Sequence, residues 1–364
     1  MVDFGAYMTN FTVGPVQSPS CVHEIGARDV PYFRTPEFSA TMLESERILL
    51  ALAHAPANSR AVFLTGSGTA GMEAAVMNLL SSRDRAIVVD GGSFGHRFAQ
   101  ICAIHGIPHE RISLDPGRAL RPAHLEPFAG RGFTALLVNM HETSTGVLYD
   151  MPMIADFCRR EGLFLLVDAI SSFLADPFDM ASLGTGAMVA GSQKAMACPP
   201  GVSLLALAPD ALARIDANDP GCLYFDLRAA LKDGERGQTP FTPAVGTLLQ
   251  IHARLREIEA AGGASSEIVR TAALAADFRG RIADLPFDFL SESPSNAVTA
   301  LRVRNRSARA IFSVLKDRYG IWICPNGGDL ADDVFRVGHL GALESEDNAA
   351  LAAALHDLHS SGLF

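Results

Sequence analysis

Short apolar runs recur along the chain, each followed by a stretch whose apolar positions repeat every three or four residues. The run 61–65 leads into a helical pattern over 68–80, 86–89 into one ending at Ile104, and 134–139 into one over 152–161. An earlier helical pattern covers 39–54, and the first 40 residues are irregular and rich in Pro, Gly and Ser. Short strands alternating with helices predict an α/β fold, a mostly parallel sheet sandwiched by helices. Around 217–243 the pattern lapses into polar, Gly- and Pro-rich sequence. A helical stretch over 244–261 then aligns Val245, Leu248, Leu249, Ile251, Leu255 and Ile258. Segments 297–303, 308–319 and 334–337 predict a smaller C-terminal α+β unit. A chain of 364 residues exceeds what one core usually serves. The expected division is an N-terminal arm (1–15), a large domain (16–244) and a small domain (245–364).

Two apolar runs end in charge. One, 163–168, finishes on Asp168; the other, 187–194, finishes on Lys194. Apolar runs of this kind are strands covered on both faces, and a charge at such an end is costly unless a partner or ligand meets it. Open α/β sheets bind ligands at their carboxyl edge. An aspartate and a lysine delivered there suit pyridoxal phosphate (PLP), the lysine forming a Schiff base and the aspartate keeping the pyridine nitrogen protonated. A structural ion pair fits the spacing equally well.

Composition narrows the class. With 48% hydrophobic and 19% charged residues the chain is an ordinary globular one, not a disordered one. A net charge of −10 without a basic block argues against nucleic acid or anionic membrane as partner. The six cysteines form no CxxC pair, which suits reduced thiols better than disulfides or zinc. No signal segment and no bilayer-length apolar run is visible, so a cytoplasmic location is expected. The histidines show no ligand spacing, and no metal is expected.

The loops after the predicted strands carry the candidate chemistry. Gly66-Ser67-Gly68-Thr69-Ala70-Gly71 opens a helix, where free N–H groups and the helix dipole can hold a phosphate. The same letters satisfy a dinucleotide fingerprint, with Asp90 near the position of a ribose-binding acid, so a nicotinamide-dependent dehydrogenase is a rival on this motif alone. Phe94, in a Gly-rich loop, can stack on a planar cofactor. His141-Glu142-Thr143-Ser144-Thr145-Gly146 brings hydroxyls and a carboxylate to the same edge, and Gln193 can donate to phosphate. Arg336, alone in an apolar strand, suits either a bidentate grip on a substrate carboxylate or a buried acid. Cys324 reads better as a small hydrophobe ending a strand than as a nucleophile.

In order, these loops, with Val167-Asp168-Ala169-Ile170-Ser171-Ser172, Pro199-Pro200-Gly201, Thr239-Pro240-Phe241-Thr242-Pro243 and Phe335-Arg336-Val337-Gly338-His339, resemble the class V aminotransferases. These are fold-type I PLP enzymes, and the likeness is to the alanine/serine–glyoxylate and 2-aminoethylphosphonate–pyruvate transaminases. It runs from Thr12 to the Arg336 strand. The resemblance implies that Lys194 holds PLP and shuttles the proton, that Asp168 meets the ring nitrogen, that Phe94 stacks on the ring and that Thr143 lies near its hydroxyl. Ser67, Gly68, Thr69 and Gln193 would hold the phosphate. Thr239 and Thr242 would reach the phosphate of a neighbouring subunit, which implies a homodimer with shared sites. Arg336 would bind the substrate carboxylate, with Arg34 as a second anion contact. The implied reaction moves an amino group from a small donor to pyruvate or glyoxylate; a PLP-dependent lyase or desulfurase is the alternative on the same scaffold. Thr69 stands where the glyoxylate enzymes often have histidine. No arginine cluster for a phosphonate precedes Tyr224-Phe225-Asp226-Leu227.

Overall fold

The computed structural model describes residues 8–304 and 307–364. The first seven residues of the expected arm therefore lie outside the described residues. Seven strands form the main sheet: β1 (Arg60–Thr65), β2 (Ala86–Asp90), β3 (His109–Ser113), β4 (Ala135–Asn139), β5 (Phe164–Asp168), β6 (Thr185–Gly191) and β7 (Val202–Leu207). Their order across the sheet is β1-β7-β6-β5-β4-β2-β3. β7 runs antiparallel to both its neighbours, and the remaining pairs are parallel. This is the α/β architecture with a mostly parallel, helix-covered sheet that the sequence pattern predicts, and it accords with the fold-type I scaffold that the resemblance implies.

The apolar strands explain the layering. In β4, Leu136 and Val138 enter one core while Ala135 and Leu137 enter the core on the opposite face; in β5, Leu165 and Val167 divide from Phe164 and Leu166 in the same way. Both faces are thus dry, as period-two alternation of wholly apolar residues requires. Helices α1 (Pro36–Leu52), α2 (Gly68–Leu79), α3 (Ser93–Ile104) and α4 (Met151–Glu161) pack over them. Each begins where its chemistry directs. Thr35 accepts the Phe38 N–H ahead of Pro36 in α1, and Asp150 accepts the Met153 N–H ahead of α4.

Two strands escape the sequence reading. β3, with intermediate or exposed positions and only Ile112 buried, is an edge strand of polar composition. β7 begins directly after the Pro199–Gly201 turn and returns the chain antiparallel. The strand carrying Lys194 also ends earlier than its apolar run suggests, at Gly191, so Lys194 sits in the turn beyond it.

A separate core holds the C-terminal part. Its four-stranded antiparallel sheet comprises β8 (Phe287–Phe289), β9 (Val298–Val303), β10 (Cys324–Pro325) and β11 (Val334–Gly338), in the order β8-β9-β11-β10. The N-terminal segment joins the two parts. Thr9 and Asn10 pair with Ile321 and Trp322, the Gly338 N–H donates to the Phe11 carbonyl at 2.7 Å, and Val13 then reaches Lys194.

Candidate active site

Because β1 is antiparallel to β7 and β7 is antiparallel to β6, β1 runs the same way as β6 and the rest of the sheet. The carboxyl ends of β1, β2, β4, β5 and β6 consequently share one edge. The loop Gly66–Thr69, Phe94 with Arg97, His141–Thr143, Asp168, and Gln193–Lys194 are delivered there by five different strands.

At the end of β5, Asp168 is 5% exposed, and one carboxylate oxygen accepts the Ile170 N–H at 2.8 Å. Burial lifts its carboxyl from 3.8 to about 7, against that hydrogen bond. Lys194 is also buried, and its Nζ donates to the Val13 carbonyl at 2.5 Å. Burial first, then the Arg336 guanidinium, brings its ammonium down from 10.5 to about 8. Neither residue is the other's ion-pair partner among the described residues; each spends its hydrogen bond on backbone. A structural ion pair, the rival reading from spacing, is therefore not what the fold builds.

The glycine loop opens α2 with Ser67 at the cap position, and the Ser67 side chain makes no capping hydrogen bond. The first-turn N–H groups thus face outward beside two hydroxyls, Ser67 and Thr69. Ser203 Oγ braces the loop from beneath by donating to the Ser67 carbonyl at 2.5 Å. Gly68 lies so tightly on the loop after β5 that a Cβ there would approach Ile170 Cδ1 to 2.5 Å.

Phe94 is held in place by a buried carboxylate. Glu142 accepts the Gly95 N–H at 3.0 Å, the Phe94 N–H at 3.4 Å and Asn139 Nδ2 at 2.8 Å, and it also accepts the Ser144 hydroxyl. A negative charge there suits the N-terminus of α3. On the same turn, Arg97 lies 4.8 Å over the Phe94 ring and donates to Thr69 Oγ1 at 3.2 Å, tying the stacking ring to the phosphate loop. Sequence reading brings the Glu142 carboxylate to this edge without a role for it, and does not single out Arg97. The i, i+3 spacing of Phe94 and Arg97 was the available signal for the second.

Thr143 Oγ1 and His141 Nδ1 both meet Ser171 Oγ, at 2.7 and 2.9 Å. Burial drops the His141 imidazole to about 3, so it is neutral. Its Nε2, together with Asn139 Oδ1 and Gln193 Oε1, is buried without a partner.

Arg336, 9% exposed, donates to the carbonyls of Thr143 at 3.1 Å and Pro325 at 2.9 Å and to Cys324 Sγ at 3.1 Å, and its Nε is free. Of the two uses open to it from sequence, pairing with a buried acid is not seen, because no carboxylate contacts it among the described residues. Arg34 and the threonines of the 239–242 loop lie elsewhere in the chain's hydrogen-bonding pattern. Arg34 donates to the Thr239 carbonyl at 2.7 Å and to Gln238 Oε1 at 3.1 Å, Thr239 is half-buried, and Thr242 is exposed. None of the three hydrogen-bonds to the Lys194 cluster of its own subunit.

A family model, Aminotransferase class-V, matches residues 32–330. The chain belongs to the class V aminotransferases. Among curated relatives of this aminotransferase, a Synechococcus protein named "Soluble hydrogenase, small subunit" is 32% identical over 301 residues, covering 81% of this chain and 78% of the relative. An L-aspartate--glyoxylate aminotransferase of Paracoccus denitrificans is 29% identical, covering 92% and 86%. Among solved structures, a subgroup IV aspartate aminotransferase from Thermus thermophilus superposes with a TM-score of 0.90 at 28% identity, covering 97% of this chain and 99% of that one. Family membership makes the aminotransferase an enzyme and implies pyridoxal phosphate as its cofactor. No helix among the described residues is long and apolar enough to cross a membrane.

Proposed function

We propose that this aminotransferase binds pyridoxal phosphate through Lys194 and moves an amino group from a small amino donor, of the alanine, serine or 2-aminoethylphosphonate type, to glyoxylate or pyruvate. The observation that carries this reading is the separation of Asp168 from Lys194, two buried groups of opposite charge at one sheet edge without a bond between them. They suit opposite ends of one cofactor, the ring nitrogen and the aldehyde carbon. The uncapped start of α2, with first-turn N–H groups free to donate to a phosphate, fits the same group.

When bound, the cofactor would supply an electron sink for the electron pair left on the substrate carbon as its proton is removed. The residues of the chain do the rest. Asp168, in a dry site, holds the proton of the ring nitrogen, and the cation there offsets the burial that otherwise raises its own pKa. Ser67, Gly68, Thr69 and Gln193 would hold the phosphate, Phe94 would stack on the ring and Thr143 would serve its hydroxyl. Lys194, with an amine near neutrality in its proton affinity, takes and returns the proton at the substrate carbon once substrate has displaced it. Arg336 grips the substrate carboxylate.

The loop with Thr239 and Thr242 is assigned to the phosphate of a second subunit in a homodimer. Arg34 braces that loop through the Thr239 carbonyl, and its role as a second anion contact is part of the same proposal. Val30 and Tyr32, 62% and 69% exposed, stand beside Thr242 and Val245 and supply apolar surface for that contact. The glyoxylate acceptor draws support from the name of the Paracoccus relative. A cytoplasmic location is part of the same proposal.

The test is the Lys194→Ala variant. The wild-type protein should be yellow with a band removed by borohydride, and the variant should lose both the lysine-linked band and turnover. Substantial transamination by the variant would overturn the assignment. Screening amino donors against glyoxylate and pyruvate then identifies the substrate pair.

A further inference from the structure

Cys324 stands across the β10–β11 hairpin from Arg336 as its antiparallel register partner, and Arg336 Nη2 donates to Cys324 Sγ at 3.1 Å. The remaining hydrogen bonds of that guanidinium go to two neutral carbonyls, and its buried Nε has no partner. A nine-tenths buried cation with no carboxylate beside it among the described residues is a site one anion short. The sulfur is therefore not the inert apolar plug that the sequence suggests. It occupies part of the position an anion on Arg336 would take. Cys102, Cys158 and Cys198 are buried, whereas Cys324, like Cys21 and Cys222, is half-buried and within reach of a small solute; it alone of the three contacts Arg336.

We propose that Cys324 is an oxidation site whose product closes the carboxylate pocket, with Arg336 held by the chain's own sulfinate instead of by substrate. The oxidant is a peroxide. Sulfur attacks one oxygen of hydrogen peroxide, the O–O bond breaks as the S–O bond forms, and the departing hydroxide leaves as water with the thiol proton. Sulfur loses two electrons and the peroxide gains them. A second equivalent repeats the step, giving a sulfinic acid that ionises. Its two oxygens then lie on a tether already within hydrogen-bonding distance of Nη2. An incoming substrate carboxylate must compete with an intramolecular anion.

This inference rests on the reading of Arg336 as the carboxylate-binding residue, and the experiment keeps the two apart. The purified holoenzyme is treated with hydrogen peroxide, the modified peptide is located by mass, and the visible band and steady-state kinetics are recorded together. Two added oxygens should appear on Cys324, the visible band should keep its intensity, and KM for the amino donor should rise roughly tenfold or more. Saturating donor during treatment should protect. Cys324→Ala and Cys324→Ser, each compared with its own untreated rate, should lose the sensitivity. Equal peroxide sensitivity in Cys324→Ala, or loss of activity that tracks loss of the visible band, would overturn the proposal. An unaltered donor KM in Arg336→Met would instead overturn the parent reading, and the proposal with it.

Discussion

Gly14 is packed against Lys194 so closely that a Cβ on it would lie 2.7 Å from Lys194 Cδ and 2.9 Å from the Gln193 carbonyl. Its φ of +116° is one that L side chains rarely adopt. The N-terminal segment thus forms one wall of the lysine's channel, and the neighbouring Val13 carbonyl fixes the end of that side chain. Gly14→Ala should cost about 1–3 kcal/mol of stability from backbone strain alone. It should also displace Lys194, weakening the lysine-linked cofactor band more than the loss of stability explains. Thermal unfolding and absorbance on the same sample separate the two effects.

Asp168 predicts a trade between stability and function. In the cofactor-free protein its folded-state carboxyl titrates near 7, above its ordinary 3.8. Between those values the folded state holds a proton that the unfolded state has lost, so the contribution of Asp168 to stability falls as pH rises from about 4 to 7 and stays low above. Asp168→Asn removes that penalty. At pH 8 the cofactor-free variant should be more stable than the cofactor-free wild type by about 1–4 kcal/mol, and near pH 4 the two should match. Turnover of the variant should collapse. Denaturant unfolding at the two pH values checks the sign.

What the sequence reveals and what it hides divide along a physical line. β4, β5 and β6 are legible because wholly apolar runs announce burial on both faces, and Asp168 and Lys194 are conspicuous because they end such runs. β3 is hidden because an edge strand with the composition His109-Glu110-Arg111-Ile112-Ser113 looks like a loop. Arg97 and Glu142 are hidden because their roles depend on partners 28 and 47 residues away, Thr69 and Gly95. The contact between Cys324 and Arg336 is hidden for the same reason. Only the hairpin register sets its thiol opposite Arg336, and periodicity carries no information about register between strands.

Glu142 should prove a positioning residue for the stacking ring. Its carboxylate faces donors from Phe94, Gly95, Ser144 and Asn139. Glu142→Gln turns an –NH2 toward some of them and leaves at least one buried donor without an acceptor, at about 1–3 kcal/mol. The start of α3 and Phe94 should loosen together. Affinity for pyridoxal phosphate should fall by about tenfold, measured by titration of the cofactor-free variant, while the pH dependence of cofactor attachment stays that of the wild type, because Lys194 is untouched.

Lys194 makes the sharpest pH prediction. An amine attacks an aldehyde only when unprotonated, and burial together with Arg336 brings this one from 10.5 to about 8. Between those values the unfolded state holds the proton and the folded state does not, so this group's contribution to the stability of the cofactor-free protein rises with pH from about 8 to 10.5. The rate at which added pyridoxal phosphate joins the cofactor-free protein, followed by growth of the visible band, should therefore climb about tenfold per pH unit below 8 and level off above it. An unperturbed lysine would keep climbing past pH 10. Arg336→Met removes the second cause of the shift, so its midpoint should move upward while the limiting rate at high pH is kept. A midpoint unchanged by that substitution would leave burial and the Arg97 charge as the causes and place Arg336 too far from Lys194 to bind a substrate carboxylate beside it.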